Sequence, residues 1–343
     1  MVIRSTMPTY VLGIAISTLP VIVFLVSLIV LDGYKLVRRS SIVRTIGAGV
    51  AVALLGMVVN RFLLTASGWD ATPFTRYAAP PVEEILKGAF LVWLIATKRV
   101  GFMVDAAICG FALGTGFAIV ENVYYVNAFC DTSIALCVLR GFGTALMHGG
   151  ATAVFGIVTK SLSERYGFAK AWIYLPGLGV AIVLHSFYNH FIFSPAISVL
   201  GIVLALPALM YAVFRQGERA LKSWLGIGFD TDAELLEIIE SGGLSGSRIG
   251  QYLSSLRDRF PPEIVADMFN LLALRVELSI RAKGILLMRE AGFDPKPAPD
   301  IREKFAELEY LEESIGKTGQ LAMMPLLHWR DRDLWELHML GKR

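Results

Sequence analysis

The chain has 343 residues, of which 55% are hydrophobic and only 18% are charged. This composition excludes an ordinary soluble globular protein and is typical of a membrane protein. The formal net charge of +3 is small and spread over loops, so it gives no indication of a nucleic-acid partner.

Seven apolar stretches are long enough to cross a bilayer as helices, which takes about 20 residues. They are residues 8–31, 42–66, 78–97, 103–126, 141–158, 172–193 and 196–214. Most of the charged side chains follow them, in residues 215–343. The predicted fold is therefore all-α: a polytopic transmembrane helix bundle of about seven spans in residues 1–214, and a C-terminal helical cytoplasmic domain in residues 215–343.

Positively charged residues, lysine and arginine, are concentrated in every second loop, and this pattern predicts the orientation of the chain in the cell membrane. They lie in the first, third and fifth loops and after the seventh span: Lys35, Arg38, Arg39, Lys98, Arg99, Lys160, Arg165, Lys170, Arg215, Arg219 and Lys222. The N-terminus is then expected outside and the C-terminal region in the cytoplasm.

Ionisable side chains inside spans are rare and are functional by default. Four successive spans carry them: Glu83, Glu84 and Lys87, then Glu121, then His148, then His185. With a rise of 1.5 Å per residue, all of them fall roughly 5–15 Å below the same outer face. Chance placement would scatter such residues, so the sequence predicts that they converge in one site.

Glu83 and Glu84 lie four and three residues before Lys87, so the lysine can neutralise one carboxylate along the helix. The other carboxylate is then free to act as a general base for water. We expect Glu83 to be this base and Glu84 to be the partner of Lys87 or of the water. The structural alternative is a salt bridge that only lets the helix tolerate charge.

Glu121, His148 and His185 offer two imidazoles and one carboxylate, the ligand set of many hydrolytic zinc sites. A zinc-bound water has a pKa near 7 and can attack an amide. Zn²⁺ is therefore a candidate cofactor, although the chain has no H-E-x-x-H motif. Two alternatives stay open: the histidines are core residues bonded to helix neighbours, or a glutamate and a histidine hold the water without metal.

Further polar residues accompany this set. Asn189 lies four residues after His185, which predicts a catalytic role as an orienting residue or oxyanion donor. Tyr125 lies four residues after Glu121 and can donate a hydrogen bond to it. Two cysteines, Cys130 and Cys137, share a loop and can pair if that loop is extracytoplasmic.

Together these residues resemble the PrsW family of intramembrane proteases, which is related to the CAAX-processing and bacteriocin-immunity membrane peptidases. The resemblance covers residues 80–193 and is carried by PVEEILK, FAIVENVYY, LMHGGA and HSFYN. It implies hydrolysis of peptide bonds in membrane-anchored protein substrates at the lipid bilayer, with Glu83 and the two histidines essential. It leaves open whether a metal or a glutamate activates the water.

Two other functions are compatible with part of the sequence. A proton- or ion-coupled transporter also places carboxylates and histidines in its spans, but the chain has no convincing internal repeat. A membrane scaffold without catalytic activity would leave the ionisable residues of the spans unexplained.

The sequence of the C-terminal region predicts helices at residues 230–239, 262–290, 301–315 and 325–340. We expect this region to bind a cytoplasmic partner. Its two histidines, His328 and His338, have no companions with metal-ligand spacing.

Overall fold

The computed structural model describes residues 7–129, 134–167, 170–295, 298–327 and 331–341, and these residues contain helices and no strand. The chain divides into two compact units, Met1–Gly217 and Glu218–Arg343. The all-α fold is thus confirmed.

The first unit is built from long helices. They are α1 (Met7–Leu31), α2 (Arg39–Ser67), the single turn α3 (Ala71–Pro73), α4 (Ala79–Ala96), α5 (Met103–Phe129), α6 (Ile134–Tyr166), α7 (Tyr174–Asn189) and the first part of α8 (Pro195–Glu240). Each of the seven predicted apolar stretches falls on one of these helices.

Five helical segments of the described chain are long and apolar enough to cross a membrane. They are Arg39–Ser67, Met103–Tyr124, Gly141–Tyr166, Ala171–Asn189 and Pro195–Glu240. Helix α4 has 18 residues but carries three charged side chains, Glu83, Glu84 and Lys87. Large apolar side chains such as Val58 and Phe62 are exposed on α2, as expected for a surface that faces lipid.

Helix α5 lies against both α2 and α6 at glycine residues. A Cβ atom at Gly114 would overlap the carbonyl oxygen of His148 on α6. On the other side, a Cβ atom at Gly49 or at Gly116 would overlap the main chain of the facing helix. Small residues let membrane helices approach this closely. The contact at Gly114 thus restricts the axial position of α5 relative to the helix that carries His148, and the contact at Gly49 and Gly116 restricts it relative to α2. We call these two contacts the glycine seams of α5.

The start of α4 is irregular. Residues Phe74–Ala78 form a π-helical turn, and α4 follows with Pro80 and Pro81 in its first turn. Proline is tolerated there because the first N–H groups of a helix have no partner within it. The pair Glu83 and Glu84 therefore lies within two turns of an unusual backbone segment.

The second unit contains the end of α8 and four further helices: α9 (Arg248–Ser255), α10 (Pro262–Glu290), α11 (Ile301–Met323) and α12 (Asp331–Leu340). Helix α9 is capped by Ser247, whose hydroxyl accepts a hydrogen bond from the N–H of Gly250 at 3.1 Å. Sequence reasoning missed α9. It also predicted a helix over residues 301–315, whereas α11 continues to Met323 past a kink at Gly316, where φ is 64°.

The predicted helix start at Asp230 is wrong, because α8 runs through this position to Glu240. The residues that resemble a helix N-cap in the sequence make other hydrogen bonds in the structure. The Thr231 hydroxyl donates to the carbonyl of Ile227 at 2.8 Å. The Asp232 carboxylate accepts Lys283 Nζ at 2.5 Å. Neither side chain is available to end one helix and begin another.

Three expectations concern residues or side chains outside the described part of the chain. They are the pairing of Cys130 with Cys137, the hydrogen bond from Tyr125 to Glu121, and the surroundings of His328.

Candidate active site

Four helices bring the predicted ionisable residues together within the first unit. Helix α4 supplies Glu83, Glu84 and Lys87, α5 supplies Glu121, α6 supplies His148 and α7 supplies His185. Hydrogen bonds and ion pairs between different helices connect these side chains across 23 to 102 residues of sequence, and Asn60 of α2 joins them. We call these seven residues the polar cluster.

Glu84 and Lys87 form an ion pair at the centre of the polar cluster. Lys87 Nζ lies 2.5 Å from Glu84 Oε1, and the two side chains are 0% and 2% exposed. Removing one partner of a buried ion pair costs about 3–5 kcal/mol, because the other charge is left without compensation. Each of these two residues therefore requires the other, which matches the expected pairing of Lys87 with one glutamate.

Glu84 also orients His185. Its Oε1 atom lies 2.8 Å from His185 Nδ1, so Nδ1–H donates to the carboxylate. This assignment of the proton follows from the hydrogen bond. The other ring nitrogen, Nε2, then has a free lone pair and lies 3.8 Å from Glu83 Oε2. A carboxylate that fixes the tautomer of a histidine in this way is common behind metal-ligating imidazoles.

His148 is held from both sides of its ring. Its Nδ1 atom lies 2.9 Å from Lys87 Nζ, and its Nε2 atom contacts Glu121 Oε2. An ammonium group can only donate, so Nδ1 accepts and Nε2 carries the hydrogen toward Glu121. Phe117 packs against the imidazole with ring centroids 4.8 Å apart. His148 and His185 lie edge to face, with centroids 4.6 Å apart.

Glu83 is the carboxylate left without a strong partner. Its Oε1 atom accepts a hydrogen bond from Asn60 Nδ2 at 2.8 Å. Its Oε2 atom is buried and has no hydrogen-bond partner among the described residues. A buried carboxylate oxygen in this state is available to a ligand or a proton. Asn60 was not predicted as a site residue, although an amide inside an apolar span is itself a signal of function.

The residues fit a bound metal ion. Glu83, His148 and His185 each offer one ligand atom, and these atoms lie within 4.8 Å of one another. Two ligands of a tetrahedral zinc at about 2.1 Å are about 3.4 Å apart, close to the separation of His185 Nε2 and Glu83 Oε2. The buried, unpartnered oxygen of Glu83 also fits a cation. This closest group contains Glu83 where sequence reasoning placed Glu121, which instead lies against His148.

Asn189 does not reach the polar cluster. Its Nδ2 atom donates to the carbonyl oxygen of Thr75 at 3.0 Å, although it lies on the same face of α7 as His185. Asn122 is 1% exposed, and both atoms of its amide group lack a hydrogen-bond partner within the described chain.

One comparison with known proteins identifies a family for this chain. The family model described as PrsW family intramembrane metalloprotease matches residues 38–214 and so covers α2 to α7 and the complete polar cluster. No curated protein and no solved structure matches the chain. The matched region is more than half of the 343 residues. The chain is therefore a multi-pass membrane peptidase that belongs to the PrsW family of intramembrane metalloproteases.

Proposed function

We propose that the chain is an endopeptidase that hydrolyses peptide bonds of membrane-anchored protein substrates, with Glu83 as the proton acceptor. The observation that carries this proposal is the Oε2 atom of Glu83, which is buried, lacks a partner in the described chain and faces His185 Nε2. A general base needs such a free lone pair within reach of a water molecule.

In the proposed reaction Glu83 takes one proton from water while the water oxygen bonds to the carbonyl carbon of the substrate. The C–N bond then breaks, and the same proton passes from Glu83 to the leaving amine nitrogen. The products are a carboxylic acid and an amine. Asn60 holds the other oxygen of Glu83, and Glu84 holds His185, so both groups keep their orientation through the reaction.

The proposed metal ligands are Glu121, His148 and His185, with Zn²⁺ as the ion. A bound zinc ion supplies a Lewis acid and a water of lowered pKa. Glu121 is assigned as a ligand because it lies beside His148 Nε2, and a bound ion would replace the proton that these two groups share in the structure. A second arrangement has Glu83 as the third ligand, and it is favoured by the close group of Glu83, His148 and His185. The two arrangements differ in what Glu83→Gln does to metal content.

The direct test is cleavage by the purified protein. Peptides with a single transmembrane anchor are incubated with the full chain in lipid vesicles, with and without a chelator. Cleavage products that are absent when the chelator is present would support the proposal. A wild-type chain that cleaves no anchored peptide, but moves protons or ions across the vesicle membrane, would instead identify a proton- or ion-coupled transporter.

For the membrane arrangement we propose seven spans, α1, α2 and α4 to α8, with the N-terminus outside and the second unit in the cytoplasm. The alternating Lys and Arg of the loops support this orientation. The polar cluster then lies near the outer face, and the second unit is free to bind a cytoplasmic partner.

We therefore expect a reporter fused after Arg343 to be active only in the cytoplasm, and a reporter inserted near residue 131 to be active only outside. The opposite pattern would contradict the orientation, and it would move the polar cluster to the cytoplasmic face.

A further inference from the structure

The π-helical turn before α4 leaves main-chain oxygens without main-chain partners. Within Phe74–Ala78 the hydrogen bonds run over five residues, and the N–H of Ala79 donates to the carbonyl of Phe74. The next two residues, Pro80 and Pro81, have no N–H group. π-helical turns of this kind are frequent at functional sites.

Two of the affected carbonyl groups are those of Thr75 and Arg76. The donor four residues after Thr75 is Ala79, whose N–H is already used, and the residue five after Thr75 is Pro80. For Arg76, the residues four and five positions ahead are Pro80 and Pro81. Neither carbonyl can therefore accept the usual helical hydrogen bond, so each is open to a donor from another helix.

Helix α7 supplies both missing donors. Asn189 Nδ2 donates to the Thr75 oxygen at 3.0 Å, and the Ser186 hydroxyl donates to the Arg76 oxygen at 2.5 Å. Ser186 and Asn189 are three residues apart and so lie on one face of α7. We call these two hydrogen bonds the α7 clamp.

The α7 clamp lies next to the polar cluster at both of its ends. Ser186 follows His185 directly, and Arg76 is only seven residues before Glu83. The hydrogen bonds thus join the backbone that leads into Glu83 to the turn of helix that carries His185. A loss of these bonds would let the first turn of α4 shift along α7.

We propose that Ser186 and Asn189 are positioning residues, which set His185 Nε2 against Glu83 by holding the π-helical turn. This inference rests on the proposed function, since it concerns the geometry of that reaction. It also gives Asn189 a different role from the oxyanion donor expected from its spacing, because its amide is turned to Thr75.

The test is a double variant, Ser186→Ala with Asn189→Leu, which removes both donors and nearly keeps the side-chain volumes. A misplacement of about 1 Å costs about 10²-fold in rate, so we expect kcat to fall by about 10- to 100-fold. We expect KM to change by less than about twofold, because substrate binding is untouched. Ser186→Thr keeps a hydroxyl donor and should retain most of the wild-type kcat.

Hydrogen exchange measured by mass spectrometry gives a second readout that needs no activity. Amides in residues 74–88 should exchange faster in the double variant than in the wild type. The matched control is Ser27→Ala, which removes a hydroxyl donor to the main chain of α1 at Val23, away from the polar cluster. It should leave both kcat and the exchange of residues 74–88 unchanged.

Unchanged exchange in the double variant would overturn the clamp. Faster exchange with wild-type kcat would overturn the positioning role, and so would a Ser186→Thr variant as slow as the double variant. If the wild-type chain cleaves no substrate, the proposed function fails, and the positioning role fails with it, whereas the exchange rates still decide whether the clamp exists.

Discussion

Glu83→Gln should lower the rate of peptide cleavage by a factor of about 10² to 10⁴, the usual contribution of general acid–base catalysis. Glutamine keeps the shape of the side chain and can still bond to Asn60, but it cannot accept a proton from water. The variant should insert and fold like the wild type, because the Glu84–Lys87 ion pair is intact. The measurement is the cleavage rate of an anchored peptide in vesicles.

The matched control is Glu218→Gln, which changes a glutamate whose side chain is 47% exposed, outside the polar cluster. Its cleavage rate should equal that of the wild type. Metal content separates the two proposed arrangements: Glu83→Gln keeps its metal if Glu83 is the base, and loses it if Glu83 is a ligand. A Glu83→Gln variant that cleaves at the wild-type rate would remove Glu83 from both roles.

His185→Gln should remove bound metal and activity together. Loss of a group that only orients a metal ligand typically costs 10- to 100-fold in metal affinity, so loss of the ligand itself should cost more than about 10²-fold. Metal content can be measured by elemental analysis of the purified variant. Removal of metal from the wild type with a chelator should abolish cleavage, and added Zn²⁺ should restore it.

The control for this variant is His338→Gln, which changes a histidine of the second unit and should keep full metal content and activity. Full activity in wild-type protein from which the metal has been removed would rule out the zinc mechanism. It would favour the alternative in which Glu83 and a histidine hold the water between them.

The sequence was sufficient to predict which charged residues meet. Ionisable side chains inside apolar helices are too unfavourable to face lipid, so residues at one depth on four helices have few places to go. In the described chain, hydrogen bonds link His148 to Lys87, Lys87 to Glu84, and Glu84 to His185, so these residues meet as expected. The two adjacent glutamates differ in their other contacts: Glu84 pairs with Lys87, Glu83 accepts from Asn60, and both lie near His185.

The details that sequence reasoning missed depend on backbone geometry. Spacing places Asn189 on the face of His185, but it cannot predict that a π-helical turn and two prolines leave the Thr75 carbonyl as a better partner. Asn60 was not assigned because nothing in the spacing of α2 relates it to Glu83. Contacts across helices depend on rotation and register, which a pattern along one helix does not determine.

The boundary between the two units illustrates a different limit. The change from apolar to charged composition near residue 215 marks where the chain leaves its apolar region, but not where a helix ends. Helix α8 continues because its later side chains find partners in the second unit, as Asp232 does with Lys283. The composition of a segment indicates whether it lies in an apolar or an aqueous environment, whereas the end of a helix depends on caps and competing hydrogen bonds.

The glycine seams of α5 also restrict how a substrate can arrive. An extended polypeptide needs a gap of roughly 5 Å beside its neighbours. At Gly114 and at the Gly49–Gly116 crossing the facing helices have no room for even one additional carbon atom. A substrate segment therefore cannot enter between the helices at these contacts. It must reach Glu83 from another side of the bundle. Engineering of substrate preference should accordingly begin with the residues that border α4 and α7, and leave these glycines unchanged.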